Sequence, residues 1–188
     1  MDHIPMLYLP SKYHKKELSL GHLKECMQKE GFTDLYVIDE RGITKNEPQY
    51  EFYQRFSSLY NLWVDTGPRE IGDVVDDIFS GANKIVIRGD LWMDESLEAI
   101  RAMTHHDIYL AFDGKMIGRV TENQHLLNAA DGVILFITEQ ARLSFSDEAE
   151  MNRIINKKPV YIFDNPCNEE KWKEKEINGF LQDIAMYM

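Results

Sequence analysis

Glu70-Ile-Gly-Asp-Val-Val-Asp-Asp-Ile-Phe-Ser-Gly-Ala-Asn-Lys-Ile-Val-Ile-Arg-Gly-Asp90 holds one complete unit of the fold. A helical stretch over 70–79 stops at Gly81, where a residue without Cβ ends a helix at low cost. A short run at 84–87 follows, and it gives way to Arg88-Gly89-Asp90. The same unit repeats in both directions. Apolar runs rich in Val, Ile, Leu and Tyr fall at 4–9, 35–38, 62–64, 84–87, 107–112, 132–137 and 159–163. Helical stretches at 21–30, 50–60, 70–79, 94–103, 121–129 and 146–156 separate them, with a last one near 169–187. Strands that are continuously apolar belong to a sheet covered on both faces, and βα alternation makes them parallel with right-handed crossovers. Neither G-x-G-x-x-G after the first strand nor a P-loop occurs, which favours a barrel over an open nucleotide-binding sheet. The expected fold is α/β: a parallel (βα) barrel of TIM type, shortened or incomplete, with seven strands evident in one domain over 1–188.

Composition narrows the partners. At 188 residues, 44% hydrophobic and 28% charged, the chain has the makings of one well-filled core and no long disordered tail. A formal net charge of −11 repels phosphate backbones and anionic lipid, so nucleic acid and membrane are not expected partners. A few local basic residues are still enough to hold a small phosphate. The run at 4–9 is interrupted by Pro5 and followed by lysines, the wrong order for a signal peptide, and no segment reaches transmembrane length. Cytoplasm is the expected location. Cys26 and Cys167 form no CxxC pair and the histidines lack ligand spacing, so a cysteine or histidine metal site is not expected.

In parallel α/β folds the loops leaving the carboxyl ends of strands carry the chemistry. Every run from the second onward ends in a carboxylate, among them Asp39, Asp65, Asp113 and Asp164. Asp113, with Asp39 and Asp65 assisting, is the candidate acid–base set, because carboxylates converging on one mouth raise one another's pKa. Such a ring also suits a hard cation such as Mg²⁺, and no other cofactor is indicated. Arg41, Arg69, Arg88, Gly89 and Lys115 are interleaved with the acids and, with Asp164, form the candidate substrate-binding set. The plainer alternative is that each acid caps the next helix and each base pairs with its neighbour. The dense aromatics Tyr50, Phe52, Tyr53, Phe56 and Tyr60 read as core packing, or else as a helix face through which copies self-associate. The two halves also echo each other: Asp34-Leu-Tyr-Val-Ile returns as Asp131-Gly-Val-Ile-Leu, and Leu62-Trp-Val-Asp as Tyr161-Ile-Phe-Asp.

At Leu35-Tyr-Val-Ile-Asp-Glu-Arg-Gly-Ile43, Leu62-Trp-Val-Asp-Thr-Gly-Pro-Arg69 and Gly81-Ala-Asn-Lys-Ile-Val-Ile-Arg-Gly89, the chain resembles the ProFAR-isomerase (HisA/HisF) superfamily. More closely, it resembles archaeal and methylotroph proteins described as related to that isomerase. The resemblance covers residues 30 to 115 and implies a (βα)₈ barrel that binds a phosphorylated ribose derivative. It also implies an Amadori-type isomerisation by two aspartates at the ends of strands one and five. Asp113 stands at the second of these positions, and Tyr8 stands at the first. The family's glycine-rich phosphate loops correspond here to Asp65-Thr-Gly-Pro-Arg69 with Arg88-Gly89, and to Phe163-Asp-Asn-Pro166. These departures imply that standard isomerase chemistry is lost. The expected function is binding or transformation of a small metabolite, phosphorylated or not, by isomerase- or lyase-like chemistry if the chain is catalytic. The alternative is a non-catalytic scaffold or subunit acting through protein contacts.

Overall fold

The computed structural model describes residues 1–9, 20–93, 97–114, 116–117, 124–138, 145–165 and 169–187. The first half of the chain runs β1 (Asp2–Leu9), α1 (Leu20–Glu30), β2 (Asp34–Asp39), α2 (Glu40–Lys45), α3 (Tyr50–Phe56), β3 (Asn61–Asp65), α4 (Ile71–Ser80) and β4 (Lys84–Arg88). The second runs α5 (Glu98–Met103), β5 (Asp107–Asp113), α6 (Gln124–Ala129), β6 (Gly132–Thr138), α7 (Phe145–Ile155), β7 (Val160–Asn165), α8 (Glu169–Lys173) and β8 (Gly179–Asp183). A 3-10 turn, Ile184–Tyr187, follows. Neighbouring strands pair in parallel and in chain order, and β8 returns to β1, so the sheet closes as an eight-stranded barrel of TIM type.

Two apolar layers hold it together, because alternate residues of a strand face opposite sides. Met6, Tyr36, Trp63, Val86, Tyr109, Ile134, Tyr161 and Leu181 fill the interior. Leu7, Val37, Leu62, Ile85, Leu110, Leu135 and Ile162 face outward against Leu23, Met27, Phe56, Val74, Ile100, Met151 and Trp172 of the helices. Tyr53, Phe56 and Tyr60 are buried in this outer layer, so they are core residues. No helix among the described residues is long and apolar enough to cross a membrane.

The expectation of seven strands and an incomplete barrel needs correction. The stretch near 169–187, read as one helix, holds α8, then β8, then the 3-10 turn. Gly179-Phe-Leu-Gln-Asp183 has too short an apolar run to read as a strand alone. It is a strand because the open edges of β1 and β7 supply its hydrogen-bond partners. Its polar member Gln182 is buried and still satisfied, donating to Glu169 and accepting from the Tyr187 hydroxyl. A second departure is α2, a helix where the sequence pattern leads to the expectation of a loop. Asp39 caps its start and Asn46, in the left-handed conformation, caps its end. The starts expected at Asp94 and Thr121 lie outside the described residues, and α5 and α6 are described from Glu98 and Gln124.

Gly179 gives a test of closure. A Cβ there would stand 2.5 Å from the Asp2 carbonyl oxygen across the β8–β1 seam. Gly179→Val is expected to cost about 1–3 kcal/mol, the usual penalty for overpacking. The urea unfolding midpoint measures it, and an unmoved midpoint would mean that this seam is absent.

Candidate functional site at the carboxyl ends of the strands

Parity at the strand ends sorts the terminal acids. Asp65 and Asp113 fall in phase with the inward residues Trp63 and Ala111, whereas Asp39 and Asp164 fall in phase with the outward residues Val37 and Ile162. The four acids therefore do not converge as one ring.

Asp65 is wholly buried at the top of the barrel interior. Arg88, next along the wall, grips it with two parallel bonds, Nε to Oδ1 at 2.8 Å and Nη2 to Oδ2 at 2.7 Å. The Tyr36 hydroxyl donates to Oδ2 at 2.9 Å. The guanidinium lies over the Phe136 ring, 5.4 Å from its centre. Burial alone would lower the Arg88 pKa, but the Asp65 carboxylate beside it more than offsets that and holds the guanidinium charged. Burial, then Asp65, push the Tyr36 phenol well up, which keeps it a neutral donor. Arg88 is 23% exposed, and no hydrogen bond to its Nη1 occurs among the described residues. Among the described residues, this is a guanidinium fixed in place with one edge unused.

Asp113 is exposed on the rim, and its Oδ1 accepts from the Met116 amide at 3.1 Å. Tyr8, at the position the resemblance assigns to the other aspartate, packs partly buried against the interior cluster. Gly89 lies against the Phe112 ring. Lys115 lies outside the described residues.

The remaining candidates are placed in the outer layer. Asp39 is wholly buried behind β2. Its Oδ1 accepts from the amides of Arg41 and Gly42 at 3.0 and 3.1 Å, and its Oδ2 from the Gln49 amide and the Tyr53 hydroxyl, both at 2.6 Å. One carboxylate thus starts α2 and anchors α3. Arg41 pairs on the surface with Glu47 at 2.6 Å. Arg69 spends its guanidinium on α2, donating to the carbonyls of Gly42, Ile43 and Gly67 and to Asn46 Oδ1. Asp164 accepts from the buried Trp172 indole at 2.7 Å and so ties α8 to the barrel.

Nothing in the local sequence pattern marks Tyr36 or Phe136 as site residues, and Asp77 carries only a weak signal. Tyr36 and Phe136 look like ordinary core in sequence, and only closure of the barrel brings them beside Arg88. Asp77 of α4 is buried; Oδ2 accepts from Thr66 Oγ1 at 2.7 Å, and Oδ1 has no partner among the described residues. Burial raises its pKa well above the carboxylate range against the pull of the Thr66 hydrogen bond, with the acids Asp73, Asp65 and Asp39 adding to the rise. Its signal was an acid on the apolar side of an amphipathic helix. Among the described residues no group of three His, Cys, Asp or Glu side chains is placed to hold a metal ion.

Two measurements check these assignments. Asp39→Asn replaces an acceptor by a donor that faces other donors, so it should lower stability by about 2–3 kcal/mol. Retention of the parent's unfolding midpoint would show that the cap is idle. For Asp77 the folded pKa exceeds the unfolded one, so the folded state binds the extra proton and stability falls as pH rises from about 4 toward the folded pKa. Asp77→Asn, neutral throughout, should melt higher than the parent at pH 8, with the gap closing toward pH 4. A gap independent of pH would contradict the assignment.

Compared with known proteins, the chain matches no family model, and no curated protein matches it significantly.

Proposed function

We propose that this barrel binds a small anionic metabolite, in the first instance a sugar phosphate, at the carboxyl ends of its strands. In this reading it is a divergent relative of the ProFAR-isomerase superfamily in which the standard isomerase pair is gone. The observation that carries the reading is Arg88. A buried carboxylate grips the guanidinium on one edge and an aromatic ring supports its face, at the end of the barrel where ligands of this architecture bind. A guanidinium needed only to neutralise Asp65 has no reason to keep an edge near solvent. Pre-orientation makes that edge a receptor for phosphate or carboxylate, since a planar fork held still loses little entropy on binding. Asp113, exposed on the same rim, is the acid–base group, able to take a proton from a carbon beside a carbonyl and return it to a neighbouring position.

A non-catalytic scaffold is the second reading, favoured by Phe79, which is 84% exposed on α4. The partly exposed Arg88 guanidinium supports the ligand reading more strongly, because matching Asp65 does not by itself require an edge turned toward solvent.

The test pairs binding with proton exchange. Ribose 5-phosphate at about a hundred times its Kd should stabilise the parent by about 2.7 kcal/mol. For a chain of this size that is a melting shift of about 5–10 °C. Arg88→Lys keeps the charge beside Asp65 but loses the fork, and should cut the shift by half or more. Asp113→Asn should bind as the parent does yet slow exchange of ligand C–H protons into D₂O by about a hundredfold or more. If sugar phosphates and inorganic phosphate leave the melting temperature unmoved, the reading is wrong.

A further inference from the structure

At the opposite end of the barrel, where the strands begin, there is a second concave site. A cavity of about 320 Å³ opens there, bounded by Asp2, Asp34, Trp63, Lys84 and Tyr161. That volume is at the lower end of the range for small-ligand pockets. The floor is aromatic: the Trp63 ring lies 4.6 Å from Tyr109 and 4.9 Å from Tyr161, the latter edge to face, centre to centre. The rim is anionic. Trp63 Nε1 donates to Asp34 Oδ1 at 2.8 Å and the Tyr161 hydroxyl to Asp2 Oδ2 at 3.4 Å, so both carboxylates are set beside the rings by the rings' own donors. Burial and then Asp2 push the Tyr161 phenol up to about 12.

One cation already uses this chemistry. Lys84 Nζ sits 3.9 Å from the centre of the Trp63 ring, 5.7 Å from that of Tyr109 and 3.9 Å from Asp34 Oδ1. An ammonium over an indole face with a carboxylate beside it is the arrangement by which aromatic sites hold organic cations. Lys84 is partly exposed at the first position of β4, so its flexible stem can swing outward and leave the ring face free. Two carboxylates against one ammonium make the rim unfavourable for anions. Metal ions need several oxygen ligands at once, and no such group occurs among the described residues.

We infer that the amino-terminal end of the barrel binds a small organic ammonium, an alkylated or methylated amine, which takes the place of Lys84 Nζ over Trp63 and is held by Asp34 and Asp2. The site is independent of the proposed anion site, which lies at the other end of the strands.

The test titrates the full chain with choline chloride, against sodium chloride at equal ionic strength and against 3,3-dimethylbutan-1-ol, choline's uncharged isostere. Tryptophan fluorescence and calorimetry are the readouts. Choline should saturate, with the isostere about tenfold weaker or worse, since it lacks the cation that the ring face attracts. Lys84→Met removes the competing ammonium and should tighten choline about tenfold, and Asp34→Asn should weaken it about tenfold while keeping an acceptor for the Trp63 indole. Equal binding of choline and its isostere, or no choline binding, overturns the inference. So does an unchanged affinity in Asp34→Asn, which also decides the matter if Lys84→Met fails to fold.

Discussion

A parallel strand satisfies its backbone donors and acceptors only when a neighbour stands on each side, and here that requirement falls on five residues, Gly179–Asp183. They pair with β1 on one side and β7 on the other. Without them the outer edges of β1 and β7 would be open, and the interior cluster would lose Leu181 from its wall. Closure also fixes what meets inside. Tyr36 of β2 reaches Asp65 of β3, and Phe136 of β6 lies within reach of both Tyr36 and Arg88, because the barrel brings opposite walls together.

The period-two alternation of a strand then decides which polar residues belong to a site. Strands β3 and β5 end in phase with the interior and deliver Asp65 and Asp113 inward. Strands β2 and β7 end out of phase, so Asp39 and Asp164 serve helix caps and helix anchors. The same rule accounts for the internal echo of sequence. Aligning Leu62-Trp-Val-Asp with Tyr161-Ile-Phe-Asp sets outward Leu62 against inward Tyr161. A one-residue slip of this kind exchanges the faces, so the echo reflects shared strand composition and not equivalent positions.

Charge is distributed along the barrel axis to the same logic. At the carboxyl end, burial demands that Asp65 be matched, and the match supplies a fixed guanidinium. An unpaired charge at that depth would cost about 3–5 kcal/mol, so the pair stands or falls together. At the amino end the acids Asp2 and Asp34 face one lysine, and the aromatic floor between them favours a cation. Asp77, whose side chain has Thr66 as its one hydrogen-bond partner among the described residues, differs: with no cation to match it, burial shifts it toward its neutral form.

Much of this was legible in the sequence. Seven apolar runs, each followed by a helical stretch, determined the βα alternation, the parallel sheet and the end of the strands where polar residues gather. Those features are local: they depend on residue type and spacing within one unit. The eighth strand and the direction of each terminal acid depended on tertiary structure. Gly179-Phe-Leu-Gln-Asp183 is a strand because two edges await it, which no local pattern records. In strands covered on both faces, apolar residues occupy every position, so the alternation that separates Asp65 from Asp39 leaves no trace in sequence. Only the closed barrel, by giving each strand an inside and an outside, distinguished an acid at a mouth from an acid at a cap.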